Sequence, residues 1–117
     1  MKTTGLDGLW QAGRDFLGVR YPLMCGAMTW ISDSTLVKAV GAQGGFGCLA
    51  AGNMPGEALA EEIRNCREGS DAPFAVNLVT IAPNFPAHKE AVLEYAKYSD
   101  ESVKDIGAAN TLYKDHR

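Results

Sequence analysis

Short apolar runs and longer amphipathic stretches alternate three times along residues 21–98 of the chain. The apolar runs cover residues 23–25, 46–50 and 74–79, and the stretches with helical periodicity cover residues 32–43, 55–68 and 85–98. Strands that alternate with helices are typical of βαβ units and a parallel sheet. The pattern therefore predicts an α/β fold in which three parallel strands are covered by helices.

Individual positions sharpen this prediction. Leu59, Ile63 and Cys66 follow an i, i+4, i+7 spacing, which predicts the buried face of the second helix in the repeat. Ser32 or Asp33 is expected to cap the first one through a side-chain oxygen. A loosely helical apolar spacing over residues 5–16 predicts a lead-in helix within a segment 1–20. Residues 21–98 are then the three βα units.

Residues 99–117 break the pattern, because they contain no apolar run that suits a buried fourth strand. We expect this divergent tail to be weakly ordered or to form a short helix. Three parallel strands without a fourth leave an unpaired sheet edge, and such edges favour association with another chain. We therefore expect that copies of the chain can associate into a homo-oligomer through this open edge.

Composition narrows the classes of function. A closed (β/α)8 barrel needs about 250 residues, so the 117 residues of this chain cover part of one. The net charge of −3 gives no basic surface for nucleic acid or anionic membranes. No apolar stretch approaches the roughly 20 residues of a membrane span, and the first residues lack the apolar core of a secretory signal. We expect a cytoplasmic location, which suits three widely spaced cysteines.

Two segments have the character of a binding site. Gly26, Ala27 and Met28 follow the first strand, where parallel α/β proteins gather their functional loops, and small residues there let a ligand approach the backbone. A tight turn that needs glycine for its own geometry explains the same residues. Asn77 is a lone amide in an apolar strand; it serves either a ligand or a structural hydrogen bond, since an unpaired buried amide costs about 1–3 kcal/mol.

Other chemistry-bearing residues carry no assignment. His88 and His116 are expected to be solvated, while Cys25 and Cys48 are expected to be buried small hydrophobes. Residues 45–50 match the letters of the dinucleotide fingerprint, but they close a helix and open a strand, so nicotinamide binding is not expected there. The sequence contains no recognisable metal-ligand cluster and no nucleophile–base pair, and no catalytic residue is assigned.

Residues 19–30, 44–55 and 73–78, taken with their spacing, resemble the nitronate monooxygenase (2-nitropropane dioxygenase) family, to which flavin-dependent enoyl-acyl-carrier-protein reductases are closely related. The resemblance implies the N-terminal part of an FMN-binding TIM (β/α)8 barrel, incomplete in this chain. It also implies that Gly26, Ala27 and Met28 run beside the flavin ring and that Asn77 contacts FMN. The family's catalytic histidine and phosphate loops correspond to later strands, beyond residue 117.

The implied activity is the oxidation of alkyl nitronates by molecular oxygen through FMN, with a small-molecule substrate. In one alternative, NAD(P)H reduces the flavin, and an enoyl thioester then accepts the hydride from the reduced flavin. A second alternative is a truncated, non-catalytic fragment or interaction module, since the phosphate site and the fourth strand are missing from the pattern.

Overall fold

The computed structural model describes residues 5–95, 103–105 and 110–114. Its elements follow one another as α1 (Gly5–Leu17), β1 (Met24–Cys25), α2 (Ser34–Ala42), β2 (Phe46–Ala50), α3 (Gly56–Arg67), β3 (Phe74–Val79), α4 (Phe85–Tyr95), β4 (Val103–Asp105) and β5 (Asn110–Lys114). The predicted lead-in helix and the three predicted strand–helix pairs are all present. The fold class, an α/β arrangement of parallel strands and helices, is confirmed.

The sheet has the strand order β1-β2-β3-β5-β4. β1, β2 and β3 run parallel, with Met24 opposite Phe46 and Ala50 opposite Asn77. β5 runs antiparallel to β3, and β4 antiparallel to β5. Because the first three strands share one direction, their carboxyl ends and the loops that follow them lie at the same end of the sheet.

The strands β4 and β5 differ from the prediction for residues 99–117. The described parts of this segment are two strands, so the expected short helix is wrong for them. Both strands are held by backbone hydrogen bonds, which need no long apolar run, so the hydrophobic pattern revealed neither β4 at the edge nor β5 between β3 and β4. β5 also covers the edge of β3, so the open edges of the described sheet lie at β1 and β4.

One face of the sheet carries the main hydrophobic core. All three predicted positions of α3, Leu59, Ile63 and Cys66, are buried there. They pack with apolar residues of the sheet and of the neighbouring helices, namely Val37, Leu49, Phe74, Val76, Leu78 and Val92. Fully burying a side chain of this size contributes about 1.5–3 kcal/mol. This cluster therefore fixes α2, α3 and α4 against the strands.

The opposite face carries a smaller cluster of Phe46, Cys48 and Ala75. Ala27, from the loop after β1, packs against it and is half-buried. Along each strand, side chains alternate between the two faces. Asn77 therefore lies on the same face as Ala75, at the end of the sheet where the loop after β1 also lies.

β1 is less enclosed than its apolar sequence predicts. Met24 is 43% exposed and Leu23 is 61% exposed, although the apolar run over residues 23–25 predicts a covered strand. The reason is the position of β1 at the edge of the described sheet, where β2 is its single strand neighbour. An apolar groove runs beside this edge, between β1 and the side of α2 that carries Val40.

Candidate functional site

The structure brings the loop after β1 and the third strand together. Ala50 and Asn77 are register partners on neighbouring strands. The thiol of Cys48 contacts backbone groups of both Ala27 and Asn77. The predicted site residues therefore lie around one place, at the carboxyl ends of the parallel strands, rather than at opposite ends of the sheet.

Ser32 holds the loop after β1 in position. Its side-chain oxygen accepts a hydrogen bond from the backbone N–H of Met28 at 2.8 Å and donates to the carbonyl of Gly26 at 3.4 Å. Its own carbonyl accepts from the N–H of Ala50, at the end of β2, at 3.0 Å. Because Ser32 is buried, these bonds are shielded from water. The helix cap of α2 is Asp33, the second of the two predicted candidates.

Gly26 is not explained by backbone geometry or by packing. Among the described glycines, positive φ values occur at Gly18, Gly44 and Gly69, so Gly26 does not occupy the left-handed region. A Cβ atom built on Gly26 meets no atom within 4 Å. The alternative interpretation, a turn that needs glycine for its own conformation, therefore loses its support. What remains is an exposed stretch of backbone beside open space.

Asn77 is half-buried on the same face. Its backbone carbonyl accepts from the N–H of Ala51 at 3.3 Å, but its side-chain amide makes no hydrogen bond to another described residue. The alternative role of Asn77 is a structural hydrogen bond to a neighbouring loop. Within the described part of the chain, the side-chain amide has no such hydrogen-bond partner.

Cys48 lies between these groups but is not a nucleophile. Burial raises the pKa of its thiol to about 12, although the backbone groups of Ala27 and Asn77 oppose part of that rise. Burial likewise raises the pKa of Cys66, under α3, to about 12. Since the thiolate is the reactive form, both cysteines are unreactive at neutral pH. Cys48 is a buried small apolar side chain, as predicted, whereas Cys25 is half-buried, so the burial predicted for Cys25 is wrong.

His88 is buried, and the expectation that it is solvated is wrong. Its Nε2 atom contacts the backbone carbonyl of Met54, which also accepts a 2.7 Å hydrogen bond from the side-chain amide of Asn84. A carbonyl accepts but does not donate, so Nε2 carries the proton. Nδ1 is buried without a partner among the described residues. The sequence could not reveal this contact, because the acceptor lies 34 residues away. His116 lies outside the described residues.

The described residues show neither a metal site nor a membrane-spanning helix. No three histidine, cysteine, aspartate or glutamate side chains of the described chain come together as metal ligands. None of the helices that the structure describes is both long and apolar enough to cross a membrane.

A solved structure of FabK from Thermotoga maritima is similar to this chain. The two share 30% sequence identity with a TM-score of 0.67, over 71% of this chain and 27% of FabK. Since FabK is a TIM-barrel enzyme, the three parallel βα units correspond to part of such a barrel.

Curated relatives are similar in sequence. A nitronate monooxygenase of Pseudomonas aeruginosa is 35% identical over 83 residues, which are 69% of this chain and 24% of the relative. A probable nitronate monooxygenase of Staphylococcus haemolyticus is 29% identical over 79% of this chain and 22% of its own length. A (3aS,4S,5R,7aS)-5-hydroxy-7a-methyl-1-oxo-octahydro-1H-indene-4-carboxyl-CoA dehydrogenase of Mycobacterium tuberculosis is 33% identical over 64 residues. The chain thus spans under a quarter of the length of these relatives.

The family model for nitronate monooxygenase matches residues 11–114, which is most of the chain. This match includes the loop after β1, all three parallel strands and the segment of Asn77. The chain therefore belongs to the nitronate monooxygenase family.

Proposed function

We propose that this chain forms the first part of an FMN-dependent oxidoreductase that oxidises alkyl nitronates with molecular oxygen. Family membership and two relatives named as nitronate monooxygenases support the reaction class. The cofactor is supported by two observations: the open backbone at Gly26, and the side-chain amide of Asn77, which has no hydrogen-bond partner among the described residues. A flat ring needs such an approach, and an amide offers it both a hydrogen-bond donor and an acceptor.

FMN fits the residues that are present. The backbone of Gly26, Ala27 and Met28 would flank its ring, and Asn77 would hydrogen-bond to the ring's polar edge. When bound, FMN supplies the electron acceptor for the oxidation, and the protein supplies binding and orientation. The phosphate of FMN would be held by segments of the barrel outside residues 5–95.

The chain's own residues keep this arrangement rigid. Ser32 ties Met28 and Gly26 to the end of β2, so the loop cannot move independently of the sheet. The neutral thiol of Cys48 and the side chain of Phe46 give the face an apolar floor that excludes water. Exclusion of water strengthens each hydrogen bond made to a ligand there.

A second candidate function is the reduction of an enoyl thioester, with NAD(P)H as reductant. The 30% identity to FabK and the relative named as a carboxyl-CoA dehydrogenase favour it. A protein that carries this chain together with the remaining barrel strands separates the two reactions. We expect oxygen uptake that depends on propane nitronate; NADH-dependent reduction of a crotonyl thioester instead would favour the second candidate.

Location and assembly belong to the same proposal. A cytoplasmic enzyme acting on a small molecule suits the free cysteines, of which Cys48 and Cys66 are buried and Cys25 is half-buried. The open edge at β1, beside the apolar groove near Val40, is the place for association with further barrel strands or a second copy. A third candidate, a non-catalytic interaction module, would show this association without binding a flavin ring.

Lumiflavin, the FMN ring without the phosphate, tests the cofactor assignment on the chain itself. We expect lumiflavin fluorescence to be quenched on titration with the chain, and amide signals of Gly26, Ala27 and Met28 to shift. Asn77→Leu should weaken binding at least tenfold, since a good hydrogen bond to the ring is lost. Gln11→Ala, which removes an exposed amide from α1, is the matched control. Equal binding by the two variants would contradict the proposal.

A further inference from the structure

The loop after β2, residues 51–55, lies between the two segments of the proposed flavin site. At its start, the backbone N–H of Ala51 donates to the carbonyl of Asn77 at 3.3 Å. One residue earlier, the N–H of Ala50 donates at 3.0 Å to the carbonyl of Ser32, whose side chain holds the loop after β1. The junction of β2 with this loop is therefore hydrogen-bonded to both segments.

The far end of the same loop is held by α4. Asn84 directly precedes this helix and His88 lies in its first turn, so the two side chains are neighbours. Both donate to the backbone carbonyl of Met54, the amide of Asn84 at 2.7 Å and the ring of His88 through Nε2. The N–H of Met54 donates in turn to the carbonyl of Ala51 at 3.0 Å. A continuous path of hydrogen bonds thus runs from α4 through the loop to Asn77.

Packing leaves this loop little room to move. A Cβ atom on Gly52 would lie 3.1 Å from the side chain of Val79, at the end of β3. At the other end of the loop, a Cβ atom on Gly56 would lie 3.1 Å from the Cβ of Ala87 in α4. Closely packed groups transmit a displacement instead of absorbing it. A shift of Met54 is therefore passed on to the ends of β2 and β3.

The burial of His88 is not explained by stability. The side chain is fully buried, and its Nδ1 atom has no hydrogen-bond partner among the described residues, which destabilises the fold. Asn84 already supplies one donor to Met54, and an apolar side chain of similar volume would leave no unpaired atom. A buried hydrogen bond fixes one arrangement, whereas apolar packing tolerates several. The second donor therefore serves the position of the loop.

We propose that His88 and Asn84 are positioning residues for the flavin site, an assignment that rests on the proposed function. By fixing Met54, they keep Asn77 and the loop after β1 at the spacing that the ring requires. Without these donors the loop samples further positions, and a smaller fraction of the molecules is competent to bind. The apparent affinity falls in proportion to that fraction.

Variants of the two donors separate position from stability. His88→Leu removes the donor together with the unpaired Nδ1 atom, so its midpoint in urea unfolding should be unchanged or higher. Its affinity for lumiflavin should nevertheless fall about fivefold, which corresponds to one hydrogen bond. His88→Gln offers an amide N–H in place of Nε2 and should recover most of the affinity. Asn84→Ala should weaken binding to a similar extent, whereas Gln11→Ala, which removes an exposed amide from α1, is the matched control.

Amide hydrogen exchange measures the path directly and needs no flavin. In the double variant His88→Leu, Asn84→Ala, the carbonyl of Met54 loses both donors. The amides of Ala51 and Met54 should then exchange at least tenfold faster, and each single variant should show a smaller increase. Leu49, in the middle of β2, is the internal reference and should keep its protection.

Two results would overturn the proposal. One is a urea midpoint that falls together with lumiflavin affinity in His88→Leu and does not recover in His88→Gln, since a purely structural histidine behaves in this way. The other is unchanged exchange at Ala51 in the double variant. Failure of the proposed function has a different signature: the parent chain would not bind lumiflavin, while faster exchange at Ala51 would still support the control of Asn77 by α4.

Discussion

Replacing Gly47 with alanine is expected to destabilise the chain, whereas the same replacement at Gly26 is not. A Cβ atom on Gly47 would lie 2.9 Å from the Cα of Val37 and 3.0 Å from its carbonyl oxygen. These atoms belong to the backbone of α2, so the whole helix must shift to admit one methyl group. A Cβ atom on Gly26 meets nothing within 4 Å.

The magnitude follows from two opposing effects. Overpacking in a well-packed core costs about 1–3 kcal/mol. Replacing glycine by alanine also restricts the unfolded chain, which stabilises the fold by about 0.4–1 kcal/mol. Gly47→Ala should therefore lower the free energy of unfolding by about 1–2 kcal/mol. Gly26→Ala has only the second effect and should leave stability unchanged or slightly higher.

Urea unfolding followed by far-ultraviolet circular dichroism measures both variants. An unchanged slope with denaturant and a lower midpoint for Gly47→Ala would show a loss of stability without a change in the unfolded state. Lumiflavin titration completes the comparison, since the new methyl group at Gly26 should weaken binding at least tenfold. Equal midpoints for Gly47→Ala and the parent chain would refute the described packing of α2 on β2.

Further predictions concern single hydrogen bonds and thiols. Glu62→Ala removes the carboxylate that accepts the N–H of Ser34 at 2.7 Å, and should cost about 1–2 kcal/mol in urea unfolding; Glu62→Gln should recover part of the loss. Ser32→Ala should cost a similar amount and also weaken lumiflavin binding, whereas a purely structural serine would leave that binding intact. Stability should fall as pH rises from about 9 towards 12, because the unfolded thiols of Cys48 and Cys66 ionise first; Cys48→Ala should flatten this decline in alkaline unfolding monitored by circular dichroism.

The helices and parallel strands were predictable because local pattern and tertiary burial agree for them. The α3 stripe of Leu59, Ile63 and Cys66 is buried as its spacing predicts. Asp33 caps α2, and Gly44 ends it with a φ angle of 86°. In each of these cases the interaction lies within a few residues along the chain, or it depends on the hydrophobic period alone.

The contacts that shape the candidate site were not predictable in the same way. Ser32 suggested a helix cap, but its side chain instead holds the loop after β1. His88 suggested a solvated side chain, but it is buried against a carbonyl from another loop. Polar residues of these types make local and distant hydrogen bonds equally well, so sequence spacing does not select between them.

By itself, the sequence determined the order of strands and helices from α1 to α4, the buried face of α3 and the segments that resemble a flavin-binding family. These follow from hydrophobic periodicity and short-range backbone chemistry, which act along the chain. Only the tertiary structure decided that Gly26 borders open space, that Asn77 lacks a partner among the described residues, and that β5 covers the edge of β3. Those properties depend on which distant segments come together, and a pattern of residue types contains no distances.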